Sequence, residues 1–234
     1  MEEVEQAQKA VKNLLLVGHP LVVAWSGGKD SSCLLNITLV AASEVKRDTG
    51  DCPPIFVTHA DTLIENPEVH QYALSEIKRI ETFAQSAGLN VSVMIVRPRT
   101  YEHFAVQLIG RRALPTYPDS VSRRCTWDWK VRPMQRLNAE ILKKCSTYRL
   151  QPVRLIGTRF EESSVRARKM HERNDSATVI RTDNGDGFAS LSPICELTSD
   201  DVWVYLAEVR DGIRPGYSDF LAVFQLYKDA SGET

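Results

Sequence analysis

Residues 21–31 read Leu21-Val22-Val23-Ala24-Trp25-Ser26-Gly27-Gly28-Lys29-Asp30-Ser31. The first five residues form a short apolar run, which is typical of a buried strand. A polar loop with two adjacent glycines follows, and residues 32–40 are interpreted as a helix. This stretch therefore predicts a strand, a tight loop and a helix in immediate succession.

The composition of the loop favours an anion that carries several oxygens. Gly27 and Gly28 let the backbone turn sharply and approach a ligand closely. The helix that follows directs its free N–H groups and the positive end of its dipole at the same place. Hydroxyl groups at residues 26, 31 and 32 add donors, and Lys29 adds a charge. A pyrophosphate fits this set of donors best, although the loop has neither the GxxxxGKS/T nor the GxGxxG pattern.

Strands and helices alternate along the rest of the chain. An opening helix is predicted over residues 3–17, and further strands over 55–58, 91–96 and 153–157. Helices are predicted over 67–87 and 133–145. This alternation predicts an α/β fold with a doubly wound, mostly parallel sheet and helices on both faces. Ligands of such sheets bind beyond the carboxyl ends of the strands, where the loop at residues 26–31 lies.

Length and composition indicate one ordinary globular domain. The chain has 234 residues, of which 43% are hydrophobic and 25% charged, and its net charge is −1. We interpret residues 1–234 as a single nucleotide-binding domain, with an arginine-rich insertion near 97–132 and a C-terminal helical or tail segment from about 198. The net charge supplies no global attraction to nucleic acid. No apolar stretch approaches a membrane span and the N-terminus is acidic, so a cytoplasmic protein without membrane contact is expected.

The five cysteines stand at positions 33, 52, 125, 145 and 195, and no two of them form a CxxC pair. An odd, scattered set argues against a disulfide framework and against a self-contained zinc site. Iron–sulfur clusters usually take four thiolates that are often closely grouped. An iron–sulfur cluster is therefore not expected within these residues.

The string Ser26-Gly27-Gly28-Lys29-Asp30-Ser31 resembles the pyrophosphate loop (PP-loop) of the N-type ATP pyrophosphatase and PAPS reductase superfamily, whose fold is of the adenine nucleotide alpha hydrolase type. The resemblance implies that all six residues bind the phosphates of ATP. It further implies catalytic roles for Ser26, Lys29 and Asp30, and a Mg²⁺ ion held at Asp30. Magnesium would neutralise the charge of the leaving pyrophosphate.

Two further segments resemble motifs of the same superfamily. In the segment 61–67, Asp61 and Thr62 would lie beside the adenosine, although Asp61 is also a plausible cap of a turn or helix. The segment 123–133 matches R-x-C-T-x-x-x-K-x-x-P and contains Cys125. Two flanking arginines would lower the pKa of this thiol if they lie near it. We therefore consider Cys125 a catalytic candidate that carries a persulfide; a small buried residue is the alternative.

A third segment, residues 157–166, matches G-x-R-x-x-E-S-x-x-R. Gly157 would allow a close approach, and Arg159 and Arg166 would reach phosphates from the far side of the site, with Arg159 also in a catalytic role. Glu162 is equally plausible as a helix-start residue that pairs with Arg166 at i+4. The later match over residues 191–206 is interpreted as structural: a strand, a threonine-capped turn and an amphipathic helix.

The resemblance is greatest to the ATP pyrophosphatases of DNA phosphorothioation systems, the DndC and SspD type. It rests on residues 61–67, 124–126 and the closing Leu226-Tyr227-Lys228-Asp229-Ala230-Ser231-Gly232-Glu233. It implies that ATP cleavage activates a DNA backbone phosphate for sulfur incorporation, with a cysteine desulfurase and other phosphorothioation proteins as partners. In those proteins a cysteine-rich cluster region follows the Ser-Gly-Glu string, whereas this chain ends at Thr234.

Three alternative functions remain open. A PAPS or APS reductase needs a nucleophilic cysteine, typically on a C-terminal tail, and residues 217–234 contain none. A tRNA thiolation enzyme usually carries CxxC pairs. A non-enzymatic nucleotide-binding scaffold is least favoured. Such a protein would be expected to have lost the motif at residues 26–31, and the motif is intact.

Overall fold

The computed structural model describes residues 2–110, 126–182 and 185–231. The strands are β1 Leu21–Ala24, β2 Ile55–Ala60, β3 Val91–Val96, β4 Val153–Leu155 and β5 Ala189–Leu191. The helices, numbered along the described residues, are α1 Glu2–Val17, α2 Lys29–Thr49, α3 Pro67–Ser86, α4 Phe104–Ile109, α5 Arg132–Cys145, α6 Ser164–Glu172, α7 Ser199–Arg210 and α8 Leu221–Ser231. Short 3₁₀ turns cover Thr100–Glu102 and Phe160–Glu162, and a π-helical turn covers Trp127–Val131.

The strands form one five-stranded sheet in the order β3-β2-β1-β4-β5. Every pairing is parallel, and Leu21 at the start of β1 lies opposite Ile55 of β2 on one side and Val153 of β4 on the other. The chain moves outward from β1 to β3 and then returns to the other side of β1. The strand order therefore reverses between β1 and β4, and the predicted doubly wound sheet is confirmed.

Alternate residues of each strand point to opposite faces of the sheet. Val23 and Val57 belong to the larger core cluster, which also takes in residues of α1, α2, α3, α7 and α8. Val22 and Phe56 point the other way and pack against Leu137 and Ile141 of α5. Helices thus cover both faces, as the alternation predicted.

Element boundaries differ from the sequence predictions by a few residues. Helix α2 begins at Lys29, because Gly28 is already the extended N-cap residue, and it continues to Thr49, where Gly50 adopts φ +79°. Strand β4 ends at Leu155 rather than at residue 157. The strand that was predicted to begin at residue 191 instead ends there, as β5. The threonine cap is confirmed: the Thr198 hydroxyl accepts a hydrogen bond from the backbone N–H of Asp201.

The arginine-rich segment 97–132 is only partly described. Its described ends form the turn at Thr100–Glu102, helix α4 and the π-helical turn. Residues 111–125 lie outside the described residues, and so does the predicted thiol Cys125. No helix of the described chain combines the length and apolar character that a membrane crossing requires.

The side chain of Asn36, fully buried on α2, joins this helix to the C-terminal third of the chain. Its amide nitrogen donates to the hydroxyl of Tyr205 (2.9 Å) and the carbonyl of Pro215 (3.1 Å), and its carbonyl accepts from the N–H of Tyr217 (3.0 Å). Because α2 starts at the loop, Asn36 also holds the loop against that region.

We expect Asn36→Ala to lower the free energy of unfolding by about 2–4 kcal/mol, because it leaves buried polar groups without partners. Asn13→Ala, at an exposed position of α1, is the matched control and should change stability by no more than about 0.5 kcal/mol. Urea denaturation of the two variants measures the difference. Equal stability of the two variants would contradict the role given to Asn36.

Candidate functional site

The loop between β1 and α2 folds around its two glycines. Gly27 adopts φ +81°, which L-residues rarely take, and a Cβ there would lie 3.3 Å from the ring of Tyr72. The hydroxyls of Ser26 and Ser31 lie 3.0 Å apart, and that of Ser31 also donates to the carbonyl of Gly28. Ser26 is exposed at the mouth of the loop.

This geometry brings the predicted phosphate-binding groups together at the N-terminus of α2. Gly28 is the N-cap residue and offers no side-chain acceptor to the first turn of the helix. The first N–H groups of the helix, the positive end of its dipole and two hydroxyls therefore converge on one place. Such an arrangement binds anions through backbone N–H groups and the helix dipole, without requiring a positively charged side chain.

The side chain of Lys29 reaches the start of α7. Its ammonium donates to the Ser199 hydroxyl at 2.7 Å, lies 3.5 Å from the carboxylate of Asp30 and sits 5.5 Å from the ring centre of Trp203. Burial lowers the pKa of Lys29, and the charge of Asp30 partly offsets that effect. The lysine thus links the loop to the start of α7.

Arg159 holds the other side of the loop. Its Nε donates to Asp30 Oδ1 at 2.7 Å, while Nη1 donates to the carboxylate of Glu161 at 3.0 Å and to the carbonyl of Leu197 at 3.3 Å. Its side chain is only 5% exposed. Glu161 in turn accepts from the N–H of Ser199, the first residue of α7. The guanidinium therefore connects three chain segments at the carboxyl ends of β1 and β4.

Gly157 allows the chain after β4 to pass close to the loop. A Cβ at this position would lie 3.4 Å from the carbonyl of Asp30 and 3.4 Å from the backbone N of Ser31. The close approach that the sequence predicts at Gly157 is therefore an approach to the backbone of Asp30 and Ser31.

Arg166 takes no part in the hydrogen bonds of the loop. It is half-exposed on α6 and pairs with Glu162 one turn earlier. Glu162 also accepts from the backbone N–H of Arg159 at 2.9 Å. These are the contacts expected if Glu162 is a helix-start residue that pairs with Arg166. A contact between Arg166 and a phosphate stays a prediction.

Asp61 lies just after β2 and is almost fully buried. One carboxylate oxygen accepts from the N–H of Leu63 at 3.1 Å and the other from Nε of Arg97 at 2.9 Å. Leu63 has φ +63°, a strained conformation for a branched residue, and such strain is frequent at ligand-binding loops. Thr62 donates to the side chain of Glu65. Asp61 therefore caps this turn and shapes the loop that the resemblance assigns to adenosine.

A cavity of about 310 Å³ opens between the sheet and α5. Its floor is formed by Val22 and Ala24 of β1 and Thr58 of β2, and Arg154 of β4 also lines it. Its remaining wall consists of Lys130, Val131, Met134, Gln135 and Asn138. Since Ala24 is the last residue of β1, the cavity lies beside the loop, on the face of the sheet opposite α2.

The described part of the chain holds four cysteines, at positions 33, 52, 145 and 195, and all are buried and free. Burial raises the pKa of each thiol, to about 11 for Cys52 and about 12 for Cys195. These thiols are poor nucleophiles near neutral pH. Among the described residues, no group of three or more His, Cys, Asp or Glu side chains could hold a metal ion.

Several side chains that contact the loop, or support it through Arg159, were not predicted from the sequence. Ser199, which accepts from Lys29, lies in the segment 191–206 that is interpreted as structural. Glu161, which binds Arg159 and the N–H of Ser199, lies in the segment 157–166 without a predicted role. Tyr227 reaches the loop from α8, with its hydroxyl 3.3 Å from the backbone N of Lys29. Its only signal in the sequence is its place in the closing string at residues 226–233.

Comparison with protein families matches residues 20–213 to the phosphoadenosine phosphosulfate reductase domain. The chain belongs to this family, whose members use nucleotides. Comparison with curated protein sequences found no match.

Three solved structures show limited similarity to the chain. The U34-tRNA thiolase NcsA from Methanococcus maripaludis, with its 4Fe–4S cluster, is 14% identical over 98% of this chain and 73% of that chain, with a TM-score of 0.44. The FMN adenylyltransferase of Candida glabrata, in complex with FAD and inorganic pyrophosphate, is 12% identical over 89% of this chain and 58% of that chain, with a TM-score of 0.46. The NMN synthetase of Francisella tularensis is 13% identical over 100% of this chain and 86% of that chain, with a TM-score of 0.43. At these identities the similarity does not extend to substrates or to the roles of residues.

The buried thiols lead to a prediction about cysteine reactivity. Iodoacetamide at pH 8 should leave Cys33, Cys52, Cys145 and Cys195 unmodified in the native protein, because each is buried and its pKa is raised. Mass spectrometry of tryptic peptides gives the labelled positions, and the same protein in urea is the control in which all four react. Labelling of Cys33 or Cys195 at the rate of a free thiol would contradict the described environment.

Proposed function

We propose that this protein binds ATP at residues 26–31 and cleaves it between the α and β phosphates, giving AMP and pyrophosphate. The observation that carries this proposal is the loop itself. The N–H groups at the start of α2 and the hydroxyls of Ser26 and Ser31 converge beyond the carboxyl end of β1, where the strand order reverses. Ligands of doubly wound sheets bind at such a reversal point.

The reaction needs in-line attack at the α phosphorus and stabilisation of the charge that develops on the leaving pyrophosphate. Backbone N–H groups supply fixed donors for that charge, and the hydroxyls of Ser26 and Ser31, whose protons can rotate, would add two more. Asp30 fits a Mg²⁺ ion through the oxygen that does not bind Arg159, since this ion is commonly held by one or two carboxylates together with substrate phosphates. When bound, the ion would add positive charge at the leaving group.

The cavity of about 310 Å³ fits the nucleoside half of ATP. Its apolar floor at Val22 and Ala24 suits the face of a base, and the amides of Gln135 and Asn138 suit its polar edge. Its place beside the loop allows one ligand to reach over the edge of the sheet, with phosphates on the α2 side and the base on the α5 side.

We further propose that the acceptor is a backbone phosphate of DNA. An oxygen of that phosphate attacks the α phosphorus and releases pyrophosphate, so that AMP becomes the group that a sulfur nucleophile displaces. The support for this step is the resemblance of residues 61–67, 124–126 and 226–233 to phosphorothioation enzymes, whose sulfur comes from a cysteine desulfurase. Cys125 is the proposed persulfide carrier: its outer sulfur would displace AMP to form a P–S–S–Cys125 disulfide, which a thiol reductant would cleave to release the phosphorothioate. Unchanged sulfur transfer by Cys125→Ser would exclude that role.

Purified protein with ATP and Mg²⁺ should form AMP and pyrophosphate rather than ADP, either alone or with the partner proteins and DNA present. Ser26→Ala should lower kcat/KM about 10- to 100-fold, because a hydrogen bond to a charged group contributes about 1.5–3 kcal/mol. Ser43→Ala, on the helix α2 that follows the loop, is the matched control, because among the described residues its hydroxyl donates to the carbonyl of Val40 and not to the loop. Chromatography of the nucleotides measures both.

Two results would contradict the proposal. Formation of ADP would place the cleaved bond between the β and γ phosphates. Absence of AMP together with reduction of an adenylyl sulfate would assign the protein to the reductase branch of its family.

The nucleoside cavity can be tested separately by filling it. Met134→Trp places a large ring in the cavity and should raise the KM for ATP at least about fivefold, while the affinity for inorganic pyrophosphate stays unchanged. Lys143→Trp, on the exposed side of the same helix, is the control. If Met134→Trp leaves the KM for ATP unchanged, the base binds elsewhere.

A further inference from the structure

The C-terminal helix α8 contributes one side chain to the loop. The Tyr227 hydroxyl accepts a hydrogen bond from the backbone N–H of Lys29 at 3.3 Å, across a separation of 198 residues. A Cβ on Gly28 would lie 3.4 Å from the same hydroxyl. The oxygen of Tyr227 therefore stands beside the N-terminus of α2, among the groups that converge on the proposed phosphate site.

Aromatic packing fixes the position of this hydroxyl. The ring of Tyr227 meets that of Trp203 edge to face, with the centroids 5.0 Å apart, and Phe224 packs on Trp203 at the same distance. Tyr227 nevertheless remains 40% exposed. Its hydroxyl lies within hydrogen-bond distance of the Lys29 N–H, so the packed ring places this polar group beside the start of α2.

The hydroxyl of Tyr227 uses only one of its hydrogen-bonding positions within the described residues. A phenolic hydroxyl has one donor and two acceptor positions. The oxygen accepts from Lys29, but within the described residues the proton of the hydroxyl has no acceptor. The anion that the loop is shaped to bind would supply such an acceptor.

We propose that Tyr227 binds phosphate: its O–H donates to an oxygen of the pyrophosphate half of ATP when that half occupies residues 26–31. The inference rests on the proposed function and adds a residue to its site. Because Tyr227 lies on α8, the C-terminal helix then contributes a side chain to the phosphate site. It also supplies a donor without adding charge beside Lys29 and Arg159.

Calorimetric titration of Tyr227→Phe tests the proposal, because the substitution removes the hydroxyl and keeps the ring on Trp203. The ligands are inorganic pyrophosphate with Mg²⁺, ATP with Mg²⁺, and AMP. Pyrophosphate and ATP should bind about tenfold more weakly than to the wild type. AMP, which leaves the pyrophosphate half of the site empty, should bind within about twofold.

Tyr148→Phe is the matched control, because Tyr148 is exposed and lies between α5 and β4. It therefore precedes the amino end of β4, whereas the loop follows the carboxyl end of β1. This variant should bind all three ligands as the wild type does. Unchanged pyrophosphate binding by Tyr227→Phe would overturn the proposal. Tighter binding would also overturn it, since the hydroxyl would then compete with the anion for the Lys29 N–H.

The failure of this inference differs from the failure of the proposed function. A wild-type protein that binds neither pyrophosphate nor ATP refutes the phosphate site, and Tyr227 with it. A wild-type protein that binds both, beside a Tyr227→Phe variant of equal affinity, refutes only the role of Tyr227.

Discussion

The ion pair between Arg159 and Asp30 determines the geometry on which the rest of the site depends. It joins the chain after β4 to the first turn of α2 at 2.7 Å, and the side chain of Arg159 is only 5% exposed. The same guanidinium holds Glu161 and the carbonyl of Leu197. Removing one partner of a buried ion pair costs about 3–5 kcal/mol, because the other charge is left uncompensated. The pair therefore keeps the loop, the Phe160–Glu162 turn and the start of α7 in one arrangement.

This arrangement also decides what kind of anion site the loop is. The cations Lys29 and Arg159 are balanced by the carboxylates of Asp30 and Glu161, and both cations are already hydrogen-bonded within the protein. In the proposed site, attraction for phosphate would then come mainly from oriented neutral donors: the N–H groups at the start of α2, two serine hydroxyls and the Tyr227 hydroxyl. Such donors need no rearrangement when charge develops on a leaving group. A metal ion brought with the nucleotide would supply the positive charge that the protein balances internally.

Local sequence was enough to predict the features that are formed locally. The apolar run before two glycines predicted β1, the loop and α2, and the alternation predicted the doubly wound sheet. The Thr198 cap and the Glu162–Arg166 pair followed from spacings of three and four residues. The contacts of Lys29 with Ser199, of Arg159 with Asp30 and of Tyr227 with the loop join residues 129–198 positions apart, so only tertiary packing reveals them. The phosphate contacts of Arg166 and the role of Cys125 stay predictions.

The proposed site requires that the N-terminus of α2 and its glycine loop bind pyrophosphate. Titration of ¹⁵N-labelled protein with pyrophosphate and Mg²⁺, followed by amide NMR, tests it most directly. We expect saturable shifts that are largest for the backbone amides of residues 27–31, with smaller shifts near Arg159 and Tyr227. Shifts that saturate elsewhere on the sheet edge, or no shift at millimolar pyrophosphate, would contradict it.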